Sequence, residues 1–322
     1  MKRTMVALAL ALILPVAASA QTQKYPTKPV RMIVPFVPGG ASDILARLLS
    51  VSLKEQWGQP VIVENKTGAG GTIGTDAVAK APPDGYTLMV SDLGTMTIIP
   101  SLMKKMPYDL HKDLAPVTVL TYSPYLIVVT PSLPPKSLKE LVEYSKANPG
   151  KLNYATPGLG SNVHLAGLQF ATALGIEWTY IPSKGGAQAM QDVAGGHADL
   201  IFNSMLATAP HVKSGSLRLL GVTSPKRVPA YPDTPTAGEL VRGYTAGSWQ
   251  GVLTTAGTPK EVVAKINADI VKLLNTPAMK AKIVDLGAEP IGNPPAEMDR
   301  FLREDRARWA KLIQETGLKL EQ

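Results

Sequence analysis

The run Pro38-Gly39-Gly40-Ala41-Ser42-Asp43 joins a residue of fixed φ to two residues free to turn tightly, then to a short polar opening of an amphipathic stretch. That order of residue types builds an anion cradle. Ile33-Val34-Pro35-Phe36-Val37 leads in as a strand, and residues 43–56 carry Ile44, Leu45, Leu48, Leu49 and Leu53 near the 3.6-residue period, with Gly58 just beyond. The unpaired N–H groups and positive dipole end of that helix sit at the glycines, where a carboxylate or phosphate is favoured. An ordinary βα turn has the same composition. Pro157-Gly158-Leu159-Gly160-Ser161-Asn162 repeats the arrangement more than a hundred residues later, between a strand over 152–156 and a helix over 163–174.

Other chemistries lack their residues. No G-x-S-x-G elbow exists, Ser161 standing one position off in G-L-G-S-N, and Gly150-Lys151 is followed by Leu152 rather than the hydroxyl of a P-loop. Gly68-x-Gly70 has Ile73 where a dinucleotide fingerprint needs its third glycine. His111, His164, His197 and His211 show no ligand spacing and cysteine is absent, so no metal, no cofactor, no disulfide and no thiol nucleophile is expected. His164 falls in the helix after the second turn and serves equally as a cleft residue or a structural hydrogen-bonding group. Asp199, in Gly196-His197-Ala198-Asp199 before a strand, has the wrong sign for an anion site. It fits there only by accepting from a ligand ammonium, hydroxyl or water, or by orienting donors; otherwise it is a turn or cap residue.

The elements that position these residues alternate. Strands at 30–34, 61–64 and 87–90 with helices at 43–56 and 71–80 are βαβ units, which imply a parallel sheet with ligands at the carboxyl ends of its strands. Glycine or small polar residues follow each strand end, including Ser91-Asp92-Leu93-Gly94-Thr95. A long β run over 117–129, broken by Ser123-Pro124, predicts a first crossover between two α/β domains; a strand over 249–254 predicts the return. Between them lie a helix over 137–147 with Ser137 as N-cap and Glu140 three residues on, then strands at 152–156, 178–181, 200–202 and 218–223 and a helix at 187–194. Helices over 259–274, 278–286 and 295–316 close the chain.

Lys2-Arg3, an apolar run over 5–16 and Ala18-Ser19-Ala20 match a secretory signal peptide over 1–20, and the apolar run is shorter than a membrane span. An exported chain with no cysteine for disulfides or lipidation is expected to be free in a bacterial periplasm. Its 322 residues are 45 % hydrophobic and 18 % charged, and the net charge of +8 falls to +6 without Lys2 and Arg3. The basic residues are interleaved with acids, as in Arg303-Glu304-Asp305-Arg306, which excludes a nucleic-acid stripe and leaves a mild attraction for anionic solutes.

The stretch from Tyr25 to Asp43 (Y-P-x-K-P-V-R-x-I-V-P-F-x-P-G-G-x-x-D), N-K-x-G-A-G-G-T-I-G from Asn65, A-x-P-D-G-Y-T-L from Ala81, residues 155–165 and Lys184-Gly185-Gly186 resemble the Bug family, the periplasmic solute-binding proteins of tripartite tricarboxylate transporters. The resemblance spans the mature chain. It implies a two-domain periplasmic-binding-protein fold of type II, a Venus flytrap with two mixed sheets flanked by helices and two crossovers. The domains are then 21–123 with 247–322, and 124–246. It further implies a monomeric receptor, not an enzyme, that closes on an organic carboxylate and delivers it to membrane components. By resemblance the first-domain site comprises Phe36, Pro38, Gly39, Gly40, Ala41 and Asp43, the second-domain turn Thr156, Gly160, Ser161 and Asn162, and the acid Asp199. Ser183 stands where relatives commonly carry tyrosine. The competing classes are an exported enzyme acting on a carboxylated substrate and a ligand sensor for a signalling receptor. The first lacks a recognisable nucleophile or metal set.

Overall fold

The computed structural model describes residues 25–103 and 105–316, so the expected signal peptide over 1–20 lies outside the described residues. β1 (Val30–Val34) leads through the first glycine turn into α1 (Ala41–Trp57), which Gly58 ends in the left-handed conformation by donating to the Lys54 carbonyl. β2 (Val61–Asn65), a single 3-10 turn, α2 (Thr72–Ala79) and β3 (Thr87–Asp92) complete the βαβ units. α3 (Leu93–Leu102) then starts directly from β3, where the sequence suggested a small polar loop. Leu93, Met96, Ile98 and Ile99 are all buried, so α3 is apolar on every side and has no stripe to betray it; Pro100 inside it also argues against a helix.

β4 (Leu114–Val129) runs sixteen residues, about 50 Å at the usual rise. α4 (Leu138–Ala147) has Ser137 as N-cap accepting from the Glu140 N–H, while the Glu140 carboxylate accepts from Lys136 N–H, a capping box displaced by one residue. There follow β5 (Asn153–Thr156), α5 (Asn162–Leu174), β6 (Thr179–Pro182), α6 (Gly186–Ala194) and β7 (Leu200–Ser204). α7 (Met205–Lys213) leaves β7 without a loop, as α3 leaves β3. It too is buried over its first turns and contains a proline, and the sequence did not reveal it. β8 (Arg218–Val222), β9 (Gly247–Thr255), α8 (Lys260–Leu274), α9 (Pro277–Asp285), the short β10 (Glu289–Pro290) and α10 (Pro295–Thr316) finish the described chain.

β4 belongs to two sheets. Its first part, Leu114 to Pro124, pairs antiparallel with β9, and from Tyr125 onward it pairs with β7 and β8. One sheet therefore runs β2-β1-β3-β9-β4 with β10 on β4, and the other runs β6-β5-β7-β4-β8. Pro124 sits at the change of partners, where a missing N–H costs no ladder bond, and Pro116 at a register shift. Two apolar cores sandwich the first sheet: Leu45, Leu49, Ile266 and Ile270 from α1 and α8 on one face, and Leu93, Met96, Met298 and Leu302 from α3 and α10 on the other. A larger core around Tyr154, Phe170, Trp178 and Phe202 fills the second half. No helix among the described residues is long and apolar enough to cross a membrane.

Candidate functional site

The carboxyl ends of β1 and β3 in one sheet face those of β5 and β7 in the other across a narrow cavity of about 60 Å³. Phe36, Val37, Gly40 and Ala41 form one wall, and Pro157, Asn162, Gly186, Asn203 and Ser204 the other. Tyr125, Ser248 and Gln250 of the crossing strands line it with Asp92.

The first glycine turn is held open by its neighbours. The Asp43 carboxylate accepts from the Gly39 N–H at 3.0 Å, from Nε and a second guanidinium nitrogen of Arg47 at 2.9 Å each, and from Asn65 Nδ2 at 2.9 Å. Burial would raise the Asp43 pKa, but the bonds from Arg47, Gly39 and Asn65 and the Arg47 charge outweigh it and hold the carboxyl below its ordinary value. Asp43 thus fixes the turn, with its charge answered by Arg47. Gly40 is the N-cap of α1 without a side-chain cap, and the helical ladder begins only at Ile44 N–H to Gly40 carbonyl. The N–H groups of the first turn consequently point out of the helix end toward the cavity wall formed by Gly40, Ala41 and Ser42.

The turn before α5 behaves differently. Ser161 Oγ accepts from the His164 N–H at 3.2 Å, Asn162 Oδ1 from the Val163 N–H at 3.1 Å, and His164 Nδ1 from the Gly160 N–H at 3.0 Å. Thr156 Oγ1 and Ser161 Oγ bond each other at 3.1 Å. This helix end has capped itself. The uncapped end that meets α1 belongs to α6, whose N-cap is Gly185 and whose first ladder bond is Ala189 N–H to Gly185 carbonyl. Gly185 has φ +156°, and a Cβ there would lie 2.9 Å from Val37 Cγ2; Gly39, at φ +86°, faces Ala187 with 3.7 Å to spare. Gly185 is needed because the two halves of the molecule touch there, and Gly39 because its left-handed φ strains any other residue.

Three buried polar atoms on the cavity wall have no partner among the described residues: the Tyr125 hydroxyl, Asn203 Nδ2 and Ser204 Oγ. Buried polar groups are almost always hydrogen-bonded, so three orphans on one wall mark a place that a polar guest completes. Burial, with the nearby Asp92 charge adding to it, pushes the Tyr125 phenol well above its ordinary value, which keeps its O–H available as a donor. Asp92 itself accepts from Ser248 Oγ at 2.6 Å and from Gln250 Nε2 and Asn162 Nδ2 at 3.2 Å each. Ser42 Oγ donates to Gln250 Oε1 at 2.6 Å, so one network joins α1, β3, β9 and α5 beneath the cavity.

The family model for the tripartite tricarboxylate transporter family receptor matches residues 45–318. The chain belongs to this family. It is 37 % identical over 310 residues to protein BugT of Bordetella pertussis, covering 95 % of this chain and 94 % of that one. Among solved structures, an R. palustris protein with adipate superposes with a TM-score of 0.88 at 36 % identity, covering 92 % of this chain and 99 % of that one. The periplasmic binding protein BugD gives 0.87 at 38 %, with the same two coverages. MatC from Rhodopseudomonas palustris, with bound malate, gives 0.83 at 33 %, covering 90 % and all of that chain. The expected periplasmic-binding-protein fold is thereby shown.

Of the residues expected to form this receptor's site, Phe36, Gly40, Ala41 and Asn162 line the cavity. Pro38 and Gly39 shape the turn behind it, Asp43 braces that turn, and Thr156, Gly160 and Ser161 close the α5 turn on itself. The structure places Asp199 apart from the cavity. It precedes β7, and its carboxylate accepts from the Asn153 N–H at 2.7 Å at the start of β5. The parallel pairing of these strands puts it at their amino ends, with the length of β7 between it and Ser204. The sign argument made for Asp199 applies instead to Asp92, which the sequence reading treated as loop. Tyr125, Asn203, Ser204, Gly186, Ser248 and Gln250 also went unnoticed; Lys184-Gly185-Gly186 was the one legible signal among them, as a glycine pair ahead of a helix. Ser183 Oγ bonds Asp192 at 2.6 Å on α6 and does not line the cavity.

Proposed function

We propose that this receptor captures an organic carboxylate between two lobes, residues 21–123 with 247–322 and residues 124–246, and presents the closed form to the membrane components of its transporter. Periplasmic location after removal of residues 1–20, a monomeric state and the lack of a catalytic step belong to the same proposal. The observation that carries it is the convergence of the uncapped ends of α1 and α6 with the orphaned atoms of Tyr125, Asn203 and Ser204 on one cavity. All of these can donate to a carboxylate, and no arginine or lysine among the described residues lines the wall. Recognition therefore rests on helix ends and neutral donors. Each charge-assisted bond contributes roughly 1.5 to 3 kcal/mol, so three or four reach micromolar binding at about −8 kcal/mol.

Asp92 adds a requirement: beneath the same cavity, a carboxylate with three donors favours a guest that turns a hydroxyl, a water or a methylene toward it and its carboxylate away. Relatives solved with adipate and with malate are compatible with both kinds of guest. Ligand bound to both walls at once favours the closed arrangement by its differential affinity alone. Native mass spectrometry of the protein as purified, followed by a thermal-shift panel of C4 to C6 dicarboxylates and hydroxy acids, tests this reading. A saturable upward shift with one-to-one stoichiometry is expected. No shift with any carboxylate, or turnover of a carboxylate to product, overturns it.

A further inference from the structure

The helix α5 turns two apolar faces to two different surroundings. Val163, Ala166 and Phe170, at helical spacing, belong to the core of the second half, with Tyr154, Trp178 and Phe202. Leu165 stands on the opposite side of the helix and is 3 % exposed, yet it packs with Ile98 of α3 and with Trp309 and Ile313 of α10. Leu168, one turn on, lies against the same cluster. Both α3 and α10 cover the sheet of the first half, through Leu93, Met96, Met298 and Leu302. Leu165 is therefore buried by the other lobe and not by the core of its own. It is not part of the cavity lining.

The lobes approach closely along this edge. A Cβ at Gly94, in the first turn of α3, would lie 2.9 Å from Asn162 Nδ2 and 3.2 Å from Asn162 Cβ. Asn162 stands three residues before Leu165 on the same face of α5 and donates to Asp92 at 3.2 Å. A polar and an apolar contact thus lie side by side between α5 and the first lobe.

Burial of an apolar side chain is favourable in proportion to the area taken from water. When the lobes part, Leu165 returns to water, while Val163, Ala166 and Phe170 stay in their own core. Its contribution accordingly falls on closure and not on the folding of either lobe. We infer that Leu165 is a closing latch, which populates the closed form before any ligand arrives and so raises the affinity for whatever carboxylate the cavity takes. The inference rests on the two-lobe reading given above. A ligand that needs the closed form has an apparent affinity in proportion to the closed fraction, so the latch acts by one factor on every ligand while touching none.

Double electron–electron resonance on the ligand-free protein tests this. Spin labels go on Thr67→Cys and Lys184→Cys, exposed positions on opposite lobes of a chain that has no cysteine of its own. The ligand-free protein should show a shorter-distance population, which Leu165→Ala reduces several-fold and Leu165→Met retains. Gly94→Ala, whose added Cβ presses on Asn162 from the first lobe, should reduce it too and serves if Leu165→Ala does not fold. Calorimetry with the dicarboxylates that the thermal-shift panel selects should give affinities about tenfold lower for Leu165→Ala, by the same factor for each ligand, and within about twofold of wild type for Leu165→Met. No shorter-distance population in the ligand-free protein, or an undiminished one in the folded variant, overturns the inference. A loss of affinity confined to some ligands does so as well, because it would make Leu165 a cavity residue. A panel that yields no binder leaves the resonance measurement to decide the latch, so the two readings fail separately.

Discussion

The turns before α1 and α5 look alike on paper: each follows a strand, each carries two glycines, each opens an amphipathic helix. In the folded chain they have opposite roles. The α5 turn brings Ser161 and Asn162, whose side chains satisfy the first-turn N–H groups of His164 and Val163, and His164, whose ring takes the Gly160 N–H just before the helix. The α1 turn brings Gly40, Ala41 and Ser42, and the one hydroxyl among them is directed to Gln250. Its bracing carboxylate, Asp43, accepts from the Gly39 N–H and otherwise from the side chains of Arg47 and Asn65, behind the turn. A helix end is an anion site only when its own side chains leave it uncapped. By that criterion the partner of the α1 end is α6, not α5.

The largest expected effect tests the open end. Gly40 has φ −80°, and a Cβ there meets only the Val37 carbonyl oxygen at 3.9 Å, so Gly40→Val folds and puts its methyl groups in the cavity. Ligand affinity should fall by more than about a hundredfold with the unfolding midpoint of the free protein almost unchanged. Calorimetry showing wild-type affinity would remove the α1 end from the site. Next comes Tyr125→Phe, which deletes an orphaned hydroxyl. Affinity should drop about five- to tenfold for the loss of one neutral donor, while the free protein keeps or gains stability; an unchanged dissociation constant sinks the role of this residue.

Ser161→Ala is the mirror image of Gly40→Val. It removes an N-cap and should cost about 1 kcal/mol of stability in urea unfolding, with ligand affinity within roughly twofold. If affinity collapses and stability does not move, the contrast between the turns is wrong. The last prediction concerns pH rather than ligand and falls on His164, whose pKa burial lowers from 6.5 to about 4. Its Nδ1 accepts from Gly160, so the folded form holds it neutral. Above about pH 6.5 both states are neutral. Between there and about pH 4 the unfolded chain binds a proton that the folded one lacks, so stability falls with falling pH across that window, by on the order of 3 kcal/mol. His164→Gln should flatten that part of the stability profile, and an unchanged slope would place its origin elsewhere.

The parts of the fold that sequence made legible are those with a strong local signal. β1, α1, β2, α4 and α10 follow period, cap and glycine chemistry, and β4 is visible as a long β run interrupted at Pro124. α3 and α7 escaped because largely buried helices carry no clear amphipathic stripe, and because each starts at the residue directly after a strand without turn residues between. Site residues divided the same way. Gly39-Gly40 declared itself through turn chemistry. Tyr125, Asn203 and Ser204 lie on strands that read as ordinary core, and nothing in their neighbours along the chain says that their polar atoms are left unpaired.

Sequence by itself thus determined the family, the two α/β halves and the open glycine turn before α1, because motif residues, period-two and 3.6 patterns and glycine placement are local properties. Only the tertiary structure decided which second helix end faces α1. It also decided that Asp92 rather than Asp199 lies beneath the cavity, and that three orphaned donors share its wall with the two ends. Those facts depend on where strands more than a hundred residues apart terminate relative to one another, and strand register across two sheets is written in the packing of both cores.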